Sequence, residues 1–258
     1  MILTDVLTAT NMNPQYYEFI PIFINVWEKL FPKINIHIIL ISDEINEILL
    51  PYKKYIKLFK PIPNIDEGFI AQNIRLFYPA LLTSAKGGIL ITDMDMIPMN
   101  EIYYTEPIKN INDNKFVCYR PLSCVGTNEM VICYNIAHQN VWREIFNINI
   151  EEDIINTIKS IYKKEKYYGE NANKHYKPYW ITDQLYLYEK TQEWNTTVKN
   201  LIILDDSKYM NRLYKINLNN LNYNLMKENI KKKLYSDFHM PRPYHKYQNV
   251  LINIINLL

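Results

Sequence analysis

The first hundred residues alternate between two patterns of apolar side chains, one typical of strands and the other of helices. The strand pattern is a short apolar run rich in β-branched residues, and the run before Ser42 ends in polar residues, as a strand buried on both faces should. The helix pattern places apolar residues three or four positions apart, and Pro79 is predicted to kink or end the second helix. Strands are predicted at 5–10, 34–42, 55–63 and 89–92, and helices at 14–30 and 68–82.

This alternation predicts an α/β fold in which helices flank an open, mostly parallel central sheet. The second half of the chain is mixed. It contains no repeat and no linker rich in Gly, Ser or Pro, so residues 1–258 are predicted to form a single domain. Strands are predicted in this half at 115–120, 129–135 and 200–205, and helices at 137–146, 151–164 and 184–190.

Composition and charge narrow the class of partner. The 258 residues are 48% hydrophobic, which is enough for one sizeable core. A net charge of +2 with scattered basic residues gives no stripe that could follow a nucleic-acid backbone, so a small-molecule partner is predicted. Three cysteines, an odd number, favour free thiols in a reducing compartment, which makes the cytoplasm the expected location. The N-terminus lacks the pattern of a signal peptide, and no transmembrane segment is predicted.

Two surface features leave further partners open. The basic run 231–233 is either a solvated helix face or a peripheral contact with acidic lipid. Residues 249–258 carry an apolar helical stripe that is too short to span a bilayer, and packing on the sheet is the prediction. Because the chain stops inside this stripe, continuation into another domain of a longer polypeptide also stays open.

Two acids follow the predicted strand 89–92 at the stretch Gly87-Gly-Ile-Leu-Ile-Thr-Asp-Met-Asp-Met-Ile-Pro98. Side chains at positions i and i+2 of an extended segment share a face, roughly 6 to 7 Å apart, so Asp93 and Asp95 would repel each other. A divalent cation beside them would relieve this repulsion, and carboxylate, water and phosphate oxygens are the ligands of Mg²⁺ or Mn²⁺. Two solvated acids in a loop are the structural alternative.

The stretch 89–98 resembles the D-x-D strand end of glycosyltransferases with the GT-A fold. The resemblance implies that Asp93 and Asp95 hold Mn²⁺ or Mg²⁺ on the diphosphate of a nucleotide-sugar, with the backbone of Met94 nearby. Asp95 would be the principal metal ligand, and Asp93 would be shared between the metal and the ribose. It also implies that residues 1–100 are the nucleotide-binding half. Residues 101–258 would then supply the acceptor-binding half and a C-terminal closing segment.

The same resemblance assigns a donor pocket upstream of the acids. Arg75 corresponds to an arginine that lies under the donor and contacts the diphosphate or the first acid. The end of the first strand would cup the nucleobase, and Tyr16 or Tyr17 would stack on it. A plain sheet edge and a surface arginine are the structural alternatives. The implied strand-end residues are Thr8, Ala9, Thr10 and Asn11.

Two downstream segments resemble the glycogenin-related retaining galactosyl- and glucosyltransferases. In "YWITDQLYLY" (179–188), Asp183 would orient the donor sugar and Gln184 would lie near its reacting face. The alternative for Asp183 is a helix N-cap. In "SDFHMPRPY" (236–244), His239 would be a third metal ligand, and Arg242 or Lys246 would bind the diphosphate. The spacing here departs from the family pattern, so the choice between the two bases stays open.

The resemblance therefore implies a metal-dependent transfer of sugar from a nucleotide-sugar, with UDP favoured over GDP, to a hydroxyl acceptor such as a glycan. Tyr179 and Trp180 could stack on an acceptor sugar through their flat faces, as could Tyr176. The Asp-Gln pair favours retention of configuration over inversion. Sequence alone does not specify the sugar, the acceptor or the oligomeric state.

Two alternative functions accompany this one. Phosphotransferases of the haloacid-dehalogenase type also place D-x-D after an apolar strand, and Asp205 and Asp206 could mimic their distal acids. Ile97 stands where those enzymes favour Thr or Val, however, and three strands precede the motif. The other alternative is a non-catalytic protein that binds a nucleotide-sugar.

Overall fold

The computed structural model describes residues 1–120, 126–169, 181–205, 211–214 and 222–258. Seven strands form the main sheet in the order β3-β2-β1-β4-β7-β6-β8. All neighbouring strands pair in parallel except at β7, which runs antiparallel to both β4 and β6. The strands are β1 (Leu3–Asn11), β2 (Asn35–Ile41), β3 (Ile56–Phe59), β4 (Gly88–Ile91), β6 (Phe116–Cys118), β7 (Asn135–His138) and β8 (Leu201–Ile203).

Both faces of this sheet are buried, which explains the continuous apolar runs of its central strands. Successive residues of a strand enter opposite cores: Val6 of β1 packs in one core and Leu7 in the other. Helices α2 (Ile20–Leu30) and α9 (Tyr244–Ile255) cover the first face. The second face is covered by α3 (Glu67–Phe77), α5 (Gln139–Phe146), α6 (Glu151–Gly169) and α7 (Thr182–Val198).

A second, three-stranded sheet continues from the end of β4. Its strands are β5 (Met96–Pro98), β9 (Leu213–Tyr214) and β10 (Asp237–His239). The central strand β10 pairs antiparallel with β5 and parallel with β9, so residues far apart in sequence meet just after the acid pair. Arg212 and Asp237 form a buried ion pair within this sheet, and the Tyr134 hydroxyl donates to Asp237 at 3.1 Å.

The remaining described helices are short or peripheral: α1 (Pro14–Tyr17), α4 (Ile102–Thr105) and α8 (Tyr223–Lys231). A 3₁₀ helix, Glu47–Tyr55, connects β2 to β3, and another, Tyr78–Leu81, follows α3. The α-helical hydrogen bonding of α3 thus stops just before Pro79, as its missing N–H predicts. Within the part of the chain that the structure describes, no helix has the length and apolar character needed to cross a membrane.

The predicted strand 129–135 is wrong. Only Asn135 of that run belongs to a strand, and β7 continues to His138, which had been predicted to lie inside a helix. Backbone groups of this run form hydrogen bonds outside the sheet instead. The Met130 amide donates to the Gln184 carbonyl at 3.1 Å, and the Asn135 side chain donates to the carbonyls of Val131 and Ile132. Helix α5 consequently begins at Gln139, two residues later than predicted.

Candidate functional site

A cavity of about 870 Å³ opens at the carboxyl edge of the main sheet, where β1 and β4 end. Ligands of open α/β sheets bind beyond this edge. The cavity wall brings together most of the site residues predicted from the sequence. They are Ala9, Thr10, Asn11, Tyr16, Arg75, Asp93, Met94, Asp95, Asp183, Gln184, His239 and Arg242.

The remaining predicted residues lie elsewhere or outside the described segments. Thr8 is fully buried within the sheet, behind the cavity wall. Lys246 is exposed on α9, with its Nζ 5.6 Å from the centre of the Tyr247 ring, and it does not line the cavity. Tyr179 and Trp180, the predicted acceptor contacts, lie outside the described residues, as does Tyr176. The acceptor contacts therefore stay predictions.

The chain enters the site through β4, whose start requires glycine. A Cβ added to Gly87 would collide with the Ile2 carbonyl oxygen, so only glycine allows this close approach to β1. At the other end of β4, the Thr92 amide donates to the Leu7 carbonyl at 3.0 Å. This bond extends the strand pairing to the position just before Asp93. The first acid is consequently held by the sheet itself.

Asp93 accepts a hydrogen bond from Arg75 and forms an ion pair with it. Arg75 lies in the last turn of α3. Arg75 also donates to the Thr92 carbonyl at 3.3 Å. Burial alone would raise the pKa of Asp93, but the Arg75 guanidinium, with smaller contributions from His239 and from a hydrogen bond with the Cys133 thiol, outweighs it and holds this pKa below its usual range. Burial raises the pKa of Cys133 to about 11, so the thiol keeps the proton that it donates.

The other side of the same guanidinium binds Asp183, with Nη2 of Arg75 3.1 Å from Oδ2 of the carboxylate. Only 5% of the Asp183 side chain is exposed. Burial raises the pKa of Asp183 to about 7; Arg75 opposes this shift and the Asp93 charge adds to it. The two acids therefore share one cation, and Asp183 is poised to change its charge near neutral pH.

The geometry does not support the alternative that Asp183 is a helix N-cap. The N-cap of α7 is Ile181, which makes no side-chain cap hydrogen bond, and Asp183 lies inside the first helical turn. Its Oδ1 accepts the Gln184 amide at 2.9 Å, while Oδ2 faces Arg75. A carboxylate in the first turn gains from the helix dipole, but here it also points at the cavity wall.

Asp95, the second acid, is held by the second sheet. The Met240 amide donates to the Asp95 carbonyl at 2.9 Å, and this contact continues the pairing of β10 with β5. It places Nε2 of His239 3.2 Å from Oδ2 of Asp95. Nε of Arg242 approaches the same oxygen at 3.3 Å. Two side chains that lie 144 and 147 residues after Asp95 in the sequence thus contact its carboxylate.

Arg242 also contacts Tyr16 of α1. Its guanidinium donates to the Tyr16 hydroxyl, and Cζ lies 5.0 Å from the centre of the Tyr16 ring. Burial raises the pKa of Tyr16, with Arg242 opposing the shift, so the phenol stays protonated. The pair joins α1 to the C-terminal segment at the cavity wall.

The residues fit a divalent cation only in part. Asp95 and His239 are in contact and supply the carboxylate and imidazole donors that Mn²⁺ accepts. Asp93 is turned toward Arg75. Within the described segments, no three His, Cys, Asp or Glu side chains are grouped closely enough to hold a metal ion. Any cation here would need further oxygen ligands from water or from the donor, as is usual for Mg²⁺.

Several wall residues were not predicted from the sequence. Gln72 lies one turn before Arg75 on α3, and this i, i−3 spacing was the available signal. Val131 and Ile132 had been placed in a strand, so nothing indicated that they face the cavity. The other additions are Asn13, Gln15, Asp66, Gly68, Phe69, Ala71 and Tyr162.

Comparison with known proteins identifies the fold. The chain matches the crystal structure of an active-site mutant of LgtC with a TM-score of 0.52 and 12% identity, covering 98% of this chain and 95% of that one. The chain has a GT-A fold. This confirms the fold class predicted from the sequence.

Two further structural similarities have TM-scores below 0.5. The galactosyltransferase LgtC in complex with donor and acceptor sugar analogues matches at 0.48 and 12% identity, with 99% and 96% of the two chains covered. Mouse xyloside xylosyltransferase 1 matches at 0.49 and 8% identity, with 93% and 99% covered. No protein-family model and no curated protein matches this sequence.

Proposed function

We propose that this protein is a glycosyltransferase that moves a sugar from a nucleotide-sugar to a hydroxyl acceptor with the help of a divalent cation. The observation that carries the proposal is the shared contact of Arg75 with Asp93 and Asp183 in the wall of the large cavity. This contact joins the strand-end acid to the α7 carboxylate at the edge where GT-A folds bind donors. The fold also counts against the haloacid-dehalogenase alternative.

Each residue has a role in this proposal. Asp95 and His239, with Asp93 as the shared ligand, would hold Mn²⁺ or Mg²⁺, which neutralises charge on the departing nucleoside diphosphate. Arg242 would bind the diphosphate, because it lies beside Asp95 in the cavity wall and Lys246 does not. The end of β1 and Tyr16 would hold the nucleobase.

The Asp183 carboxylate would act on the sugar. As the bond to the anomeric carbon breaks, the sugar gains positive character, which a nearby carboxylate stabilises more in the transition state than in the ground state. In an inverting enzyme the same group would instead take the proton of the attacking hydroxyl. We favour retention, with Gln184 beside the reacting face, because of the resemblance of the Asp-Gln segment. UDP is favoured over GDP on the same basis.

A donor screen tests the proposal. The purified protein is incubated with a panel of UDP- and GDP-sugars, with and without Mn²⁺, and mass spectrometry records release of the nucleoside diphosphate. Metal-dependent release from at least one donor is expected, and the Asp183→Asn variant should lose it. Calorimetric titration with UDP and GDP identifies the base. Nucleotide binding by the parent without turnover of any donor would favour the non-catalytic alternative.

A further inference from the structure

Arg242 and His239 contact the same atom. Both Nε of Arg242 and Nε2 of His239 lie within 3.3 Å of Oδ2 of Asp95. Only 6% of the Asp95 side chain is exposed, so its charge is largely withdrawn from water and needs a counter-charge. Arg242 is permanently cationic and supplies one.

A divalent cation on Oδ2 of Asp95 would compete with Arg242 for the same oxygen and the same negative charge. A metal binds a carboxylate oxygen at about 2.0–2.2 Å, closer than the guanidinium lies, and the two cations repel each other at such distances. Arg75 also contacts a proposed metal ligand, Asp93, but it would keep Asp183 as a second acidic partner. Of the two arginines that line the cavity in the described part of the chain, Arg242 is therefore the one more readily displaced from its acid when a cation arrives.

Tyr16 gives Arg242 a second attachment. The guanidinium donates to the Tyr16 hydroxyl and lies over its ring, so Arg242 is held by Tyr16 as well as by Asp95. Release from Asp95 would leave the guanidinium beside Tyr16, still within the cavity wall. A diphosphate carries oxygens that suit the fork of an arginine, and its charge would replace that of the lost carboxylate partner.

We propose that Arg242 is an exchangeable counter-ion: it neutralises Asp95 before the donor binds, yields that carboxylate to the divalent cation, and then pairs with the diphosphate. The exchange rests on the proposed function for its ligands but adds a distinct consequence. Arg242 opposes binding of the metal alone and favours binding of metal and nucleotide together. The cation is thus accepted mainly in the company of the nucleotide.

The test measures the two affinities separately. Mn²⁺ binding to the free protein is followed by the loss of the electron paramagnetic resonance signal of free Mn²⁺, and UDP binding at saturating Mn²⁺ by calorimetry. In Arg242→Gln, Mn²⁺ alone should bind about threefold to tenfold more tightly, because a unit charge a few ångströms away is gone. UDP with Mn²⁺ should bind about tenfold more weakly, because a charge-assisted hydrogen bond is lost.

Three further variants sharpen the result. Arg242→Lys keeps the charge and should leave affinity for Mn²⁺ alone near the parental value. Tyr16→Phe removes only the hydroxyl tether and should raise affinity for Mn²⁺ alone less than Arg242→Gln does. Lys227→Gln removes an exposed positive charge on α8 and should change neither affinity. Thermal melting of each variant identifies any that fails to fold, and Arg242→Lys then serves as the folded comparison.

The outcomes separate this inference from the proposed function. Unchanged or weaker Mn²⁺ binding by Arg242→Gln, in a protein whose parent binds UDP only with Mn²⁺, would overturn the exchange and leave the glycosyltransferase proposal standing. A parent that binds UDP equally well with and without Mn²⁺ would overturn both the exchange and the metal dependence. A parent that binds neither ligand would contradict the proposed function itself.

Discussion

Arg75 donates through Nη2 to Asp183 at 3.1 Å and through Nη1 to Asp93, so one guanidinium joins acids that lie 90 residues apart. The side chains of Arg75 and Asp183 are 8% and 5% exposed, so solvent screens their contact only weakly. The two acids have opposite pKa shifts despite their common partner: that of Asp93 is lowered and that of Asp183 is raised to about 7. Burial, with the charge of Asp93 added to it, has left Asp183 the less favoured ion although Arg75 favours its ionised form.

Replacing Arg75 by Gln should destabilise the protein by up to about 3–5 kcal/mol at pH 8, because it leaves the buried Asp183 and the partly exposed Asp93 without their counter-charge. Protonation of Asp183 relieves this penalty, so the loss should be smaller at pH 5 than at pH 8. Urea unfolding at both pH values measures the difference. Arg75→Lys, which keeps the charge but loses the two-sided fork, should fall between Gln and the parent.

The exposed pair of Lys190 and Glu193 provides a matched control for Arg75. Lys190→Gln should cost less than about 1 kcal/mol and show no such change with pH, because solvent screens this pair. An equal loss in Arg75→Gln at pH 5 and pH 8 would contradict the assignment of the buried carboxylates as the source of the penalty.

Asp183→Ser and Asp183→Asn should both reduce turnover by a factor on the order of a hundred or more, as loss of a positioned acid or base typically does. Ser caps helices about as well as Asp, so a mere capping role would leave Asp183→Ser close to parental. UDP affinity with Mn²⁺ should survive in both variants. Turnover, melting temperature and UDP affinity are measured on the same preparations.

The raised pKa of Asp183 also sets the sign of a pH effect. The folded-state pKa of about 7 lies above the usual 3.8, so the stability that this group contributes is full below pH 3.8 and is lost as pH rises through 7. The free energy of unfolding of the parent, minus that of Asp183→Asn, should therefore fall between pH 5 and pH 8. Parental turnover should rise over the same range, because only the ionised carboxylate stabilises the sugar. A flat difference in unfolding free energy would show that Asp183 titrates elsewhere.

Asp95→Asn should abolish metal-dependent nucleotide binding while the fold survives, because the amide keeps the volume and loses the charge that a hard cation needs. Calorimetric titration of UDP in the presence of Mn²⁺ measures this. Asp43→Asn, in the exposed segment after β2, removes the same charge from a residue that does not line the cavity and should bind UDP as the parent does. Parental affinity in Asp95→Asn would remove this acid from the metal site.

The elements predicted best from the sequence are those in which the buried apolar residues are also the residues that form strand pairs. Most residues of β2 and β4 are apolar because both faces of the sheet are covered, and the same runs form strand pairs with β1. The run 129–135 breaks this agreement: it is apolar because it packs under α7 and the cavity wall, whereas the pairing falls on Asn135–His138. Periodicity reports burial and only indirectly the partner of a backbone hydrogen bond.

Site residues show the same limit. Asp93 and Asp95 could be found because strand end and acids are adjacent in sequence. The contacts that set their charges could not: Arg242 meets Tyr16 across 226 positions, and Cys133 supports Asp93 from a segment predicted to be a strand. Local sequence patterns identify the candidate groups, whereas long-range contacts determine their ionisation.

The last prediction concerns the buried pair that holds β10 in place. Arg212 and Asp237 are 7% and 1% exposed, and Asp237 lies two residues before His239 on the same strand. Arg212→Gln should lower the free energy of unfolding by about 3–5 kcal/mol, since it leaves Asp237 charged and buried with little more than the Tyr134 and Ser236 hydroxyls.

The paired control for Arg212→Gln is Lys233→Gln, which breaks the exposed contact with Glu101 and should cost less than about 1 kcal/mol. The same buried pair anchors the strand that carries His239, so Arg212→Gln should also weaken UDP binding in the presence of Mn²⁺ and leave any metal-free binding unchanged.

A double variant, Arg212→Met with Asp237→Leu, tests the cause of the lost stability. If the cost is an unpaired charge, the double variant should recover most of the stability, because apolar replacement of a whole buried pair is often neutral. A double variant as unstable as Arg212→Gln would show instead that the guanidinium is needed for packing.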